Sequence, residues 1–140
     1  MIRGERVDLV AVSMMYLDDY VRWMNDPEVT DMLGVVSMGM GRGTERKWVE
    51  SETEARGSRM ALTILTKDGR PIGNLGLMGI DYVSRHATLG IMIGEKGLWD
   101  KGYGGAAIGT LLKFAFEELN LDRVELTVNS NNARALNQIR

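Results

Sequence analysis

Hydrophobic and polar positions set out most of this chain before any motif is considered. Residues 2–12 alternate through Val7 and Leu9 and predict an opening strand. Helical spacing takes over at Leu17, Tyr20, Val21 and Met24, with Ser13 as the predicted N-cap and Asp26-Pro27 as the stop. Periodicity is poor over residues 29–43, where Met32, Met38 and Met40 mix with Gly34, Gly39, Gly41 and Gly43; a short helical turn and then a loop are expected. Thr44 is placed to cap a mostly charged helix to Arg56, ended by Gly57, with Trp48, Val49 and Ala55 facing inward.

Strands follow. Met60, Leu62 and Ile64 alternate with Ala61, Thr63 and Leu65, and Lys67-Asp68-Gly69-Arg70 predicts a hairpin turn. Residues 72–80 return as a strand whose Gly73, Gly76 and Gly79 point to bulges or close backbone approach. Residues 87–93 form a further strand. Ile108, Leu111, Leu112, Ala115 and Leu119 define the buried stripe of a helix whose Lys113, Glu117 and Glu118 face out. Val124, Leu126 and Val128 alternate once more, and Asn131 or Asn132 caps a last helix.

Composition narrows the class without naming a function. The 140 residues suit one domain, 1–140, and the 44% apolar and 26% charged content is that of a globular protein. No stretch has the length and apolarity of a membrane span, and no signal-peptide pattern opens the chain, so a cytoplasmic protein with no membrane partner is expected. The absence of cysteine removes disulfides and thiolate chemistry, and a lone His86 offers little to a metal site or a catalytic triad, so no metal is expected. A net charge of −2 argues against a nucleic-acid surface. Residues 1–60 carry eight basic and eleven acidic side chains, whereas residues 61–140 carry nine and eight. The second part suits an anionic ligand and the first a cationic one.

The informative chemistry is the run Trp99-Asp100-Lys101-Gly102-Tyr103-Gly104-Gly105-Ala106-Ala107. Three glycines in four positions, leading directly into a helix, leave backbone N–H groups uncovered beside the positive end of the helix dipole. Lys101 adds a charge. That is the design of a phosphate cradle. A P-loop requires a Lys-Ser/Thr pair after its last glycine, and none follows. A dinucleotide fingerprint is matched literally by Gly102, Gly104 and Ala107, with Asp122 twenty residues after Gly102. Its context is missing, because residues 94–100 separate strand from glycine and Asp122 precedes the next strand.

The segment from Leu89 to Arg134 resembles the acetyl-CoA-binding core of the GCN5-related N-acetyltransferases. Their Arg/Gln-x-x-Gly-x-Gly/Ala loop falls here on Trp99-Asp100-Lys101-Gly102-Tyr103-Gly104. Trp99 in first place, Asn25-Asp26-Pro27-Glu28-Val29, Arg3-Gly4-Glu5-Arg6-Val7 and Ile72-Gly73-Asn74-Leu75-Gly76 are similar to the ribosomal-protein N-acetyltransferase branch. The resemblance implies an α/β (α+β) fold, a mixed central sheet flanked by helices in the order β-α-α-β-β-β-α-β-α. It lacks the two strands that usually close such a sheet. It is therefore expected that the strand at residues 122–129 keeps an unpaired edge and that the chain forms a homo-oligomer.

By the same resemblance, acetyl-CoA is the co-substrate. Ile91, Met92 and Ile93 would pair through their backbone with its pantetheine arm, whatever their side chains pack against. Trp99, Lys101 and the loop Gly102, Tyr103, Gly104, Gly105 and Ala106 would take the pyrophosphate, and Asn132 would contact the arm. The family's proton-donating tyrosine falls on Ile139, and the alternative serine on Ala135, neither of which can donate. Glu28, Asp31 and Glu95 are the carboxylates placed to act as a base. Met32, Met38 and Met40 could line an adaptable acceptor pocket. The expected activity is acetyl-CoA-dependent transfer to a primary amine, a protein N-terminus or a small amine, by direct attack. The alternatives are an acetyl-CoA-binding module of poor activity and, last, a dinucleotide-binding oxidoreductase fragment.

Overall fold

The opening alternation resolves into two strands, β1 (Ile2–Arg3) and β2 (Val7–Ala11), paired antiparallel with Ile2 opposite Leu9. This computed structural model describes residues 1–32, 41–54 and 57–126. The single strand expected over residues 2–12 is thus a small hairpin. It breaks at Gly4, whose N–H donates to the Val7 carbonyl at 2.9 Å, in a place where a β-carbon would collide with Thr110. Ser13 does cap, but what it caps is a 3-10 turn over Met14–Tyr16; its hydroxyl accepts from the Met15 N–H at 3.3 Å. Helix α1 (Leu17–Met24) follows.

Pro27 ends one helix and begins the next. Its fixed φ and missing N–H suit the first position of α2 (Pro27–Met32), and the Asp26 carboxylate accepts from the Glu28 N–H at 3.0 Å. Helix α3 (Arg42–Glu54) starts two residues ahead of the predicted Thr44 cap, because the Glu45 N–H already reaches the Gly41 carbonyl at 3.2 Å. Val49 is buried and Trp48 half-buried, as the pattern requires. Met38, Met40, Ala55 and the predicted helix after Asn131 lie outside the described residues, as does the side chain of Met32.

Strands β3 (Met60–Thr66), β4 (Pro71–Asp81), β5 (His86–Ile93) and β6 (Arg123–Leu126) complete a six-stranded sheet in sequential order. All neighbours are antiparallel except β5 and β6, which run parallel on either side of helix α4 (Tyr103–Glu117). Both readings of the β4 glycines are realised. A β-carbon at Gly73 or Gly76 would strike the Met92 or the Met60 carbonyl, whereas Gly79, with φ +58°, sits at the bulge between Met78 and Asp81. A sheet with one parallel pair is the expected mixed α/β arrangement. It is not the parallel, doubly wound sheet of a dinucleotide enzyme, so the oxidoreductase reading falls.

The pleat sends alternate side chains to two cores. On one face Val7, Leu9, Ile64, Leu75, Leu77 and Leu89 pack against Ala107, Ile108, Leu111 and Ala115 of α4. On the other, Val12 joins Leu17, Tyr20 and Trp23 of α1, Val29 of α2 and Val49 of α3. Strand β5 lies between these cores, and residues 94–101 lead from its end to the glycine run.

Candidate active site

Strand β5 divides its last residues between the two cores. Ile91 and Ile93 pack toward α4, and Met92 packs toward α1 and α3. Antiparallel register sets Leu75, Asn74 and Gly73 of β4 opposite Ile91, Met92 and Ile93. On its other side β5 pairs with β6 from His86 opposite Arg123 to Leu89 opposite Leu126. Asn132, Ile139 and Ala135 lie outside the described residues.

The chain between β5 and α4 is tied at each step. The Gly94 N–H donates to the Ile72 carbonyl at 2.8 Å, Lys96–Leu98 forms a 3-10 turn, and the Trp99 indole N–H donates to the Ile93 carbonyl at 2.8 Å. Trp99 thereby pins the glycine loop to the end of the strand. Asp100 and Gly102 both adopt left-handed backbone, with φ +62° and +85°. Gly102 is the N-cap of α4, and the first intrahelical bond runs from the Ala106 N–H to the Gly102 carbonyl at 3.0 Å. The amides of Tyr103 and Gly104 precede that bond, at the positive end of the helix dipole. Gly104 is buried in this first turn and Lys101 is exposed beside it. The structure therefore brings Ile91, Met92, Ile93, Trp99, Lys101, Gly102, Tyr103, Gly104, Gly105 and Ala106 into one continuous strand–loop–helix unit.

Sequence reasoning gave Arg6 no role. Its guanidinium lies over the Tyr103 ring, 4.7 Å from the centroid, next to Gly102. The Arg3-Gly4-Glu5-Arg6-Val7 motif was the available signal. Between this hairpin and α4 lies a cavity of about 520 Å³ lined by Arg3, Arg6, Ala106, Gly109, Thr110 and Lys113, among others. It touches the glycine loop but not Ile91, Met92 or Ile93.

The three candidate carboxylates are in different settings. Glu28 is exposed on α2 with its oxygen 3.3 Å from Lys96 Nζ, and Asp31 is exposed on the same helix. Glu95 is buried. One of its oxygens accepts from Arg22 and, at 3.1 Å, from the Trp23 indole; the other accepts from Arg70 at 3.2 Å. Burial pushes its pKa up, but the hydrogen bonds from Arg22 and Trp23 and the charges of Arg22 and Arg70 outweigh that and hold it below the ordinary carboxylate value. Glu95 thus ties α1 and the turn between β3 and β4 to the end of β5.

A lowered folded-state pKa contributes stability that is present above the ordinary glutamate range and is lost as pH falls through the folded-state value. Glu95→Gln is expected to destabilise the protein at neutral pH by about 1–2 kcal/mol, since both arginines are half exposed. The difference from the wild type should shrink on acidification below about pH 4, near the unperturbed glutamate pKa. Urea titrations across that range check it, and a constant difference down to about pH 3 would contradict the assignment.

Two further features were missed. Glu45, in the first turn of α3, is buried with its pKa raised by desolvation, in a helix whose sequence reads as a solvated charge run. On the same face of the sheet a chain of hydrogen bonds crosses three elements. The Ser13 N–H donates to the Tyr20 hydroxyl at 3.3 Å, Tyr20 and Thr63 hydroxyls are 2.6 Å apart, and Thr63 donates to Asn74 Oδ1 at 3.0 Å. These polar residues sit within apolar-looking segments, and only their pairing across the sheet makes them visible.

Comparison with known proteins gives a consistent picture. The family model described as an acetyltransferase (GNAT) domain matches residues 6–139. Over 135 residues the chain is 25% identical to the N-acetyltransferase p20 of Bacillus licheniformis, covering 94% of this chain and 75% of that protein. Among solved structures it is similar to spermidine N-acetyltransferase from Vibrio cholerae in complex with CoA and spermine, with TM-score 0.82, 19% identity and coverage of 96% and 78%. An acetyltransferase of the GNAT family from Bacillus anthracis matches with TM-score 0.82 and 16% identity, covering 99% of this chain and 79% of that one.

Proposed function

The chain belongs to the acetyltransferase (GNAT) family, and from that premise we propose that it moves the acetyl group of acetyl-CoA to a primary amine by direct attack. The observation that carries this reading is the unit in which Trp99 fastens the Gly102 turn to Ile93. A strand edge and a helix N-terminus are thereby held at fixed distance, as a ligand with an extended amide-bearing arm and a pyrophosphate requires. The fit rests on Gly102, whose left-handed backbone disfavours a side chain where the phosphates would approach.

Each part of the chain has a task in this chemistry. The backbone of residues 91–93 orients the thioester arm, and the amides at the start of α4, with Lys101, hold the phosphates. The acceptor amine reaches the carbonyl from the side on which Met92 faces α1, a face built from the more acidic part of the chain. There the amine must arrive as the free base; its nitrogen–carbon bond forms as the carbon–sulphur bond breaks. A thiol of pKa about 8.5 leaves tolerably without a donor, so a protein with isoleucine at position 139 remains competent.

Calorimetry with acetyl-CoA and CoA, followed by thiol release across small polyamines, other primary amines and N-terminal peptides, tests the proposal. Saturable acetyl-CoA binding with amine-dependent thiol release is expected. Binding with no release for any amine would favour the poorly active module, and absence of binding would overturn the reading.

A further inference from the structure

We propose that Asn74 is a catalytic residue: its side-chain NH₂ group donates to the carbonyl oxygen of the acetyl thioester, and Tyr20 and Thr63 are the positioning residues that aim it. The inference rests on the acetyl-transfer reading above and goes beyond it, assigning a role to a residue outside the cofactor-binding motif.

The argument begins with the direction of the hydrogen bonds. A backbone N–H can only donate, so the Tyr20 oxygen accepts from Ser13. Among the described residues the one acceptor for the Tyr20 proton is Thr63, whose own proton then goes to Asn74 Oδ1. The reverse direction would leave the buried Tyr20 proton with no acceptor, which burial penalises. The relay therefore settles the orientation of the Asn74 amide, with Oδ1 toward Thr63 and Nδ2 away from it.

Nδ2 has no acceptor among the described residues, yet no buried polar side-chain atom there is left unpaired. Two donor protons therefore face open space. That space adjoins the reacting strand, because Asn74 is the register partner of Met92 and paired residues project from the same face. The next pair along that face is Gly76 opposite Gly90, two glycines that leave a trough beside Asn74, with the Met78 methyl group at its Gly90 end. Ala61, Gly76, Gly90 and Met92 are all only half-buried, whereas Thr63 beneath the relay is fully buried.

A donor aimed by a buried relay is pre-organised for an oxygen that gains negative charge. As the amine lone pair attacks, the carbonyl π pair moves onto oxygen, and the Asn74 N–H bond to it strengthens. When the pair returns, the carbon–sulphur electrons leave on the thiolate and the surplus amine proton goes to solvent. Donors of this kind are typically worth about a hundredfold in rate.

The test uses Asn74→Asp, which keeps the oxygen that Thr63 needs but replaces the donor with a charged acceptor, and Asn74→Ala, which removes the donor without adding charge. Bound acetyl-CoA labelled at the carbonyl carbon is followed by difference infrared spectroscopy, with no acceptor present. The wild type should show a carbonyl band displaced to lower frequency that returns toward the free value in both variants. Acetyl-CoA affinity should stay within about twofold, while kcat falls by about tenfold to a hundredfold. Tyr20→Phe, which frees Thr63 to turn, should give a smaller loss of the same kind. Unchanged band position and turnover in a folded Asn74→Asp or Asn74→Ala protein would overturn this inference alone. A wild type that does not bind acetyl-CoA would overturn the acetyl-transfer reading instead.

Discussion

Gly102→Val is expected to weaken acetyl-CoA binding by about a hundredfold while leaving the sheet intact, which corresponds to loss of one or two charge-assisted hydrogen bonds. Gly102 has φ +85°, a left-handed conformation that a β-branched residue resists, and an added β-carbon would lie 2.7 Å from Arg6 Nη1. Valine must therefore either displace Arg6 from the Tyr103 ring or pull the turn out of shape. In both cases the amides at the start of α4 lose their alignment. Gly109→Ala is the matched control. It lies on the exposed side of the same helix, with nothing within 4 Å of an added β-carbon, and should raise stability by about 0.5–1 kcal/mol without changing affinity. The effect of Gly102→Val should also vanish for acetyl-pantetheine, which lacks the pyrophosphate. Equal loss for both ligands would place the damage in the strand, and no loss in a folded variant would remove the cradle.

The glycine loop could be read from sequence because its physics is local. The left-handed turn and the helix start both follow from the glycines at and after Gly102, whatever surrounds them. The sheet was legible for a similar reason: alternation along Met60–Thr66 and His86–Ile93 reports two-faced burial within each strand. What stayed hidden depends on partners distant in sequence. Glu95 looks like a free carboxylate after a strand, and only the fold brings Arg22 and Trp23 to it across more than seventy residues. Asn74 looks like a polar residue in a glycine-rich strand, and its meaning comes from Tyr20 and Thr63. Glu45 went unread because a buried glutamate in a charged helix carries no periodic signature. The break at Gly4 needed Thr110, which lies on another element.

These hidden contacts share a purpose. Trp99 closes the loop on Ile93, Glu95 joins α1 to the turn between β3 and β4 just past Ile93, and the Tyr20 relay ends opposite Met92. Each fastens an element to the last residues of β5, the residues proposed above to meet the ligand through their backbone. A strand that must present its backbone cannot be held by ladder bonds on both edges throughout, so side chains above and below it hold it instead.

Trp23 is the centre of that support, and Trp23→Ala is expected to cost about 3–5 kcal/mol, a large part of the roughly 5–15 kcal/mol available to a domain of this kind. Its ring is 1% exposed, tilted against Tyr20 with centroids 5.8 Å apart, and its indole N–H donates to Glu95. It also rests directly on Gly94, where an added β-carbon would fall inside the indole. Gly94→Ala alone should therefore be destabilising by about 1–3 kcal/mol or more, through overpacking against a ring with nowhere to move. In the Trp23→Ala background that penalty should disappear, since the methyl group enters the space the ring has left. The two substitutions should thus be strongly non-additive, with a coupling of about 1 kcal/mol or more in urea unfolding. Because Gly94 follows Ile93 directly, acetyl-CoA affinity should fall in either single variant at temperatures where it remains folded. Additive energies would mean that the backbone at Gly94 yields independently of Trp23, and that α1 does not brace the end of the strand.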